Sequence, residues 1–159
     1  MIIESIYTKK LTNDKIDEIC NLKNSHWNFG INSQKSFFIK NYKSNDLHNL
    51  IIYRNKIVGY NSLRNIDLIV PKKKSKFLLF DTLIISKKFR GKNLSKLLML
   101  YNNIIINDKN KGAFLFCEKN LIEFYSKFGW KKLIKKKFKI KNINIDKVLM
   151  GYNLETFNL

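Results

Sequence analysis

The chain has 159 residues, a formal charge of +19, and 45% hydrophobic and 13% aromatic residues. That is enough apolar chain for one folded domain with a single core, which excludes a disordered segment. No apolar run approaches the ~20 residues needed to span a bilayer, and two cysteines and two histidines exclude a disulfide framework and a His-rich metal site.

The charge admits a polyanionic partner: nucleic acid, an anionic surface or a phosphorylated small molecule. A compositional reading competes with it. The chain is rich in Lys, Asn and Ile together, as AT-biased codon use produces, and its cations are mostly Lys, whereas recognition surfaces favour Arg. Bias is the preferred reading, so neither nucleic acid nor a membrane is an expected partner. Met1 to Tyr7 lacks a basic, signal-like start, and the expectation is a cytoplasmic protein.

In chain order, Ile2 to Thr8 suits a first strand. Thr12 can cap a helix that turns Ile16, Ile19, Cys20 and Leu22 inward. A bulky aromatic loop follows, His26-Trp27-Asn28-Phe29-Gly30, and Ser33 is a candidate cap for a second helix carrying Phe37 and Phe38. Leu47 to Tyr53 and Ile57 to Leu63 read as strands joined by Arg54-Asn55-Lys56, which is hairpin spacing. Gly59 permits a bulge or a close approach there. His48 reads as a satisfied surface or core residue. Pro71 to Lys76 reads as a charged turn into solvent. Phe77 to Ile85 is the long central strand.

The organising stretch runs from Phe80 to Leu100. Leu83, Ile84 and Ile85 end a buried strand, Ser86 to Lys92 forms a cationic turn, and Leu94, Leu97, Leu98, Tyr101, Ile104 and Ile105 recur at helical spacing. A strand that enters a helix through a tight turn aims free N–H groups and the helix's positive end at one spot, which suits a phosphate. After a stop at Asp108 to Gly112, with Gly112 as terminator, Ala113 to Cys117 reads as a strand. Leu121, Phe124, Tyr125 and Phe128 then share one face of a helix that ends at Gly129. Trp130 and Leu133 begin a strand, Lys131 to Lys141 reads as an exposed hairpin, and Val148 to Leu154 reads as the last strand. With no repeat or linker visible, residues 1–159 are expected to form a single domain.

At Arg90-Gly91-Lys92-Asn93-Leu94-Ser95 the chain resembles the GCN5-related N-acetyltransferase (GNAT) superfamily. That family carries Q/R-x-x-G-x-G/A between its fourth strand and third helix, where the backbone grips the pyrophosphate of acetyl-CoA. Arg90 fits the pattern. Asn93 stands for the first motif Gly and tolerates positive φ better than most residues; Ser95 stands for the small second one. The second half of the resemblance is Phe114 to Trp130, a strand, a short helix with Phe124-Tyr125, and a Phe128-Gly129-Trp130 corner. In that pattern the Tyr lies beside the coenzyme thiol. Many members carry an Asn seven positions before it; here that position is Glu118, and Asn120 is the nearest substitute.

The resemblance covers nearly the whole chain. It implies an α/β (α+β) fold: a mixed, mostly antiparallel sheet of about six or seven strands flanked by about four helices, its splayed central strands forming the acetyl-CoA cleft. It implies acetyl-CoA as the acetyl donor, no metal, and a small primary amine as acceptor, in a monomer or homodimer. Leu83, Ile84 and Ile85 would pair with the pantetheine arm, and Arg90, Gly91, Lys92, Asn93, Leu94, Ser95 and Asn120 would hold the cofactor. Tyr125, with a pKa near ~10 that is close to a thiol's, would protonate the leaving thiolate.

Asp81 shares strand parity with Leu83 and Ile85, and members acting on arylalkylamines place a His at that position. Asp81 is therefore the candidate base, or else a structural polar residue. Glu118 is the next candidate, on the acceptor side. Trp27 and Phe29 would contact the acceptor, or else plug the core. A covalent route through Cys117 lacks a neighbouring His, so direct transfer in a ternary complex is expected. Two other readings remain: a basic nucleic-acid or anionic-surface binder, and a CoA-binding domain without catalysis.

Overall fold

A computed structural model describes residues 1–70, 73–134 and 146–154, the side chains of 68–75 excepted. In chain order the elements are β1 (Ile2–Tyr7), α1 (Asn13–Asn24), α2 (Ile31–Asn41), β2 (Leu47–Tyr53), β3 (Lys56–Val70), β4 (Lys73–Ile85), α3 (Leu94–Asp108), β5 (Ala113–Cys117), α4 (Ile122–Ser126), β6 (Lys131–Lys132) and β7 (Val148–Tyr152). The strands form one mostly antiparallel sheet in the order β1-β2-β3-β4-β5-β7-β6. The parallel pair is β4 with β5, in register at Leu78↔Ala113 and Leu79↔Phe114. This is the expected mixed α/β class. Contacts divide it into two compact units, Met1–Arg64 with Thr82–Met99 and Asn65–Asp81 with Leu100–Leu159.

In the first unit, Thr12 caps α1 as its side chain accepts a hydrogen bond from the Lys15 N–H at 3.3 Å. Ile19, Cys20 and Leu22 go inward as expected and pack with Phe38, Tyr42, Leu50, Tyr60 and Ile84. The second helix begins earlier than the Ser33 cap predicts. Gly30 is its N-cap, its carbonyl taking the Gln34 N–H and its own N–H donating to Asn24 Oδ1 at 2.8 Å. The β2–β3 hairpin turns through Arg54 and Asn55, at φ 47° and 58°, which is the two-residue loop that matches strand twist. A register shift near Gly59 breaks the alternation of β3. A Cβ on Gly59 would lie 2.9 Å from Ile85 Cδ1 and 3.1 Å from Ile51 Cδ1, so glycine is what lets β2, β3 and β4 close up there. The other face of this unit packs Ile51, Val58, Ile85, Leu94 and Leu98.

Of the two readings open for Ile66 to Val70, an extension of the strand or a loop, β3 takes the first, and β4 begins earlier than expected, at Lys73, where a charged turn through Lys76 is expected. Pro71 and Lys72 lie outside the described residues, as does most of the Lys131 to Lys141 hairpin. In the second unit Phe77, Phe114, Leu149 and Leu154 form the core. The terminator after α3 is Asn110, at φ 47°, not Gly112; Lys111 N–H bonds back to the Ile106 carbonyl at 3.3 Å, a Schellman-type closure. Gly112 instead lies against Phe77 and Leu154.

α3 is rotated relative to the face that its spacing predicts. Its expected inward face included Leu97 and Ile104, which are 41% and 56% exposed. The buried positions are Leu94, Leu98, Met99, Asn102, Asn103 and Ile106. Two asparagines therefore occupy the inner face. The Asn103 amide donates to the Phe128 carbonyl at 2.8 Å, and its Oδ1 accepts from Trp130 Nε1 at 3.2 Å. A helix in this chain carries aliphatic residues on every side, and the inner face is settled by these polar partners as well as by apolar spacing.

Candidate cofactor and catalytic sites

The cationic turn lies wholly in the first unit. β4 ends at Ile85, a 3-10 turn occupies Lys87–Phe89, and Arg90 is extended. Gly91 (φ 76°) and Asn93 (φ 58°) both adopt left-handed conformations. An added Cβ at Gly91 would meet nothing within 4 Å, so backbone conformation and not space calls for glycine there. Asn93 adopts the positive φ that its amide side chain tolerates. The first hydrogen bond of α3 runs from Leu97 N–H to the Asn93 carbonyl at 3.1 Å. The N–H groups of Leu94, Ser95 and Lys96 therefore stand ahead of the helical ladder at its positive end. Arg90, Gly91, Lys92 and Asn93 are all exposed, as are Lys87 and Lys88, and Leu94 is buried beneath. Left-handed turns, ladder-free N–H groups and a ring of cations are the donor set that a pyrophosphate requires.

Two details were not legible in the sequence. Arg90 Nε donates to the Ile85 carbonyl at 3.2 Å, and its Nη2 donates to His26 Nδ1 at 3.1 Å. The aromatic loop is thereby brought against the cationic turn. Its two large side chains part company: Trp27 packs against the α1–α2 core cluster, whereas Phe29 is 72% exposed. Core plugging holds for Trp27 and fails for Phe29. The second detail is Thr82, at φ 59° in the middle of β4. A β-branched residue in that region costs about 1–3 kcal/mol and marks a strand irregularity. It also ends the parity argument, since alternation counted from Leu83 and Ile85 back to Asp81 passes through it. Beyond Thr82, Ile84 joins the α1–α2 cluster, and Leu83 and Ile85 join the Leu94–Leu98 cluster.

The candidate catalytic residues lie in the second unit. Tyr125 sits in α4, buried, with its ring 6.2 Å from Phe80 and 5.1 Å from Phe124. Burial pushes its pKa well above the ordinary phenol value, and the nearby Cys117 adds to the rise. The phenol therefore keeps its proton through the neutral range. Asp81 is half-buried on β4, next to Phe80. Cys117 is buried with Sγ 3.6 Å from Met150 Sδ. Burial first, and the Glu118 charge second, raise its thiol pKa, the reverse of what a nucleophile needs. Glu118 is exposed and 3.8 Å from Lys147; Asn120 is exposed in the one-turn 3-10 segment Lys119–Leu121. No three His, Cys, Asp or Glu side chains among the described residues gather to hold a metal. No helix among the described residues is long and apolar enough to cross a membrane.

This architecture is the GNAT superfamily fold. An acyl-CoA N-acyltransferase from Pseudomonas aeruginosa superposes with a TM-score of 0.71 at 13% identity, over 95% of this chain and 99% of that one. The aminoglycoside 6′-N-acetyltransferase from Enterococcus faecium gives 0.69 at 14%, over 96% of each chain. The GNAT family N-acetyltransferase YhbS from Escherichia coli, in complex with CoA, gives 0.69 at 12%, over 95% of this chain and 79% of that one. No protein-family model and no curated protein sequence matches the chain.

Proposed function

We propose that the chain is an acetyl-CoA-dependent N-acetyltransferase that passes an acetyl group directly to the primary amine of a small molecule. The observation that carries the reading is the turn Arg90–Asn93, whose two left-handed residues open into α3 within a fold shared with CoA-bound enzymes. In this reading the N–H groups of Leu94 and Ser95, with Arg90 and Lys92, hold the pyrophosphate, and Asn120 contributes a further polar contact. Leu83, Ile84 and Ile85 offer backbone groups to the pantetheine arm. The Ile85 carbonyl already accepts from Arg90, which ties the arm's strand to the phosphate turn.

Acetyl-CoA supplies an activated acetyl thioester. The amine nitrogen bonds the acetyl carbon, the carbon–sulfur bond breaks, the amine nitrogen loses a proton, and CoA leaves as a thiolate that takes up its proton from water. A backbone N–H of β4 meets the developing oxyanion. Asp81 takes or orients the amine proton. Tyr125 keeps its own proton and so stabilises the thiolate as a hydrogen-bond donor, because full transfer from a phenol with so high a pKa runs uphill. The raised pKa of Cys117 favours direct transfer over an acyl-enzyme. On charge, an acidic or phosphorylated amine suits the acceptor side better than a polycation. Phe29 and Glu118 are the acceptor-side residues of this reading, with Trp27 packed on the core behind the same loop as Phe29.

The test is thiol release from acetyl-CoA across a panel of amines that spans phosphorylated amino sugars, simple monoamines, polyamines and aminoglycosides. The expected result is amine-dependent release with one acetyl group gained by the amine. Release that is the same with and without amine would contradict acetyl transfer to an amine.

A further inference from the structure

We propose that His26 is a positioning residue for the cofactor: it holds the Arg90 guanidinium and transmits cofactor occupancy to the aromatic loop between α1 and α2. The proposal rests on the acetyl-CoA reading above and deepens it.

Arginine cannot accept a hydrogen bond, so the contact of Arg90 Nη2 with His26 Nδ1 has one sense: the guanidinium donates and the imidazole accepts. His26 is then neutral in this arrangement, with its proton on Nε2. Arg90 is gripped at two points, by the Ile85 carbonyl and by His26, which lie far apart in sequence. Two of the five guanidinium N–H donors are used, and the remainder stay available to an anion. A lysine at position 90 could not bridge both partners and still face a phosphate, because it lacks the planar fork.

The other end of the contact is anchored too. The His26 and Trp27 N–H groups both bond to the Lys23 carbonyl at the end of α1, at 3.1 and 2.9 Å. The His26 ring meets Trp27 edge to face at 4.6 Å, and Trp27 packs on the core cluster. Gln34, itself buried, donates from Nε2 to the Trp27 carbonyl at 3.0 Å. An anion that pulls on Arg90 therefore pulls on an imidazole whose neighbour is a core tryptophan, two residues before the exposed Phe29. Linkage makes the effect reciprocal: whatever the cofactor does to the loop, an acceptor on the loop does to the cofactor's affinity.

The experiment uses the full chain labelled with 5-fluorotryptophan and titrated with CoA. Fluorine NMR and calorimetry are followed in parallel on wild type, His26→Ala and His26→Gln. The Trp27 resonance is the one missing from Trp27→Phe, or the one retained in Trp130→Phe should the first variant not fold. In wild type the Trp27 resonance should move in step with the heat of binding. In His26→Ala the affinity should fall roughly threefold to fivefold, the size of an exposed charged contact, and the Trp27 response should vanish. His26→Gln, whose amide oxygen can accept from Arg90, should restore most of both. A Trp27 response that survives in His26→Ala overturns the proposal while leaving CoA binding intact. No heat in wild type overturns the acetyl-CoA reading itself, and this inference with it.

Discussion

Tyr125 is buried within α4. Phe80 and Phe124 press on its ring, and burial makes the phenolate costly. In the proposed reaction such a phenol would serve the departing thiolate as a hydrogen-bond donor that keeps its proton. Tyr125→Phe should lower kcat roughly tenfold to a hundredfold, the worth of one hydrogen bond to a charged group, while leaving the calorimetric affinity for acetyl-CoA unchanged; Asp81→Asn should act in the same sense. Equal activity in both variants and wild type would refute these roles. At this scale the sequence was informative where chemistry is local. Asn93 was readable as a residue that accepts positive φ, and it does so at 58°. Thr82 was not readable, because nothing in a β-branched residue within an apolar run signals a left-handed backbone. His26 was not readable either, since its partner lies 64 positions away.

Among the elements, α3 illustrates how far periodicity reaches. The repeat of Leu and Ile correctly announced a helix between the cationic turn and β5. It did not give the helix's rotation, because Leu97, Leu100 and Ile104 are exposed while Asn102 and Asn103 face inward. In a chain where aliphatic residues are common on every face, the inward side is decided by partners distant in sequence, here Phe128 and Trp130. The hairpin at Arg54-Asn55 was legible because its signal is confined to the turn. Asn103→Leu keeps the branched shape of the side chain, at a larger volume, but strands the buried Trp130 indole N–H and the Phe128 carbonyl. It should cost about 2 kcal/mol and lower Tm by roughly 4–8 °C. An unchanged Tm would show that the Phe128-Gly129-Trp130 corner does not depend on this amide.

For the whole molecule, pH is a direct probe of the buried polar network. His48 is fully buried, with Nδ1 2.9 Å from the Tyr60 hydroxyl and Nε2 2.8 Å from Thr8 Oγ1. Burial, reinforced by the Lys23 charge, lowers its pKa to about 3. Unfolded, it titrates near ~6.5. Between those values only the unfolded state takes up the proton, so stability falls as pH drops below about 6.5, by roughly 1.4 kcal/mol per pH unit, and levels off below about 3. Urea unfolding between pH 6.5 and 5 should show that slope, and His48→Gln should lose it. A slope unchanged by the substitution would mean that other groups carry the effect. The charge of +19 bears on ligand controls as well, since any polyanion is attracted to such a surface.

Because of that attraction, thermal melting with acetyl-CoA is measured beside ADP at equal concentration. A ligand that binds only the folded chain adds about 2.7 kcal/mol at a hundredfold excess over its Kd, which for a chain of this length is roughly 5–10 °C in Tm. A cofactor site at Arg90–Ser95 should give a rise of that order with acetyl-CoA and a clearly smaller one with ADP. No rise with acetyl-CoA would contradict a built cofactor site at Arg90–Ser95; an equal rise with both would contradict recognition of the acetyl-pantetheine arm and leave a site for anions or nucleotides alone.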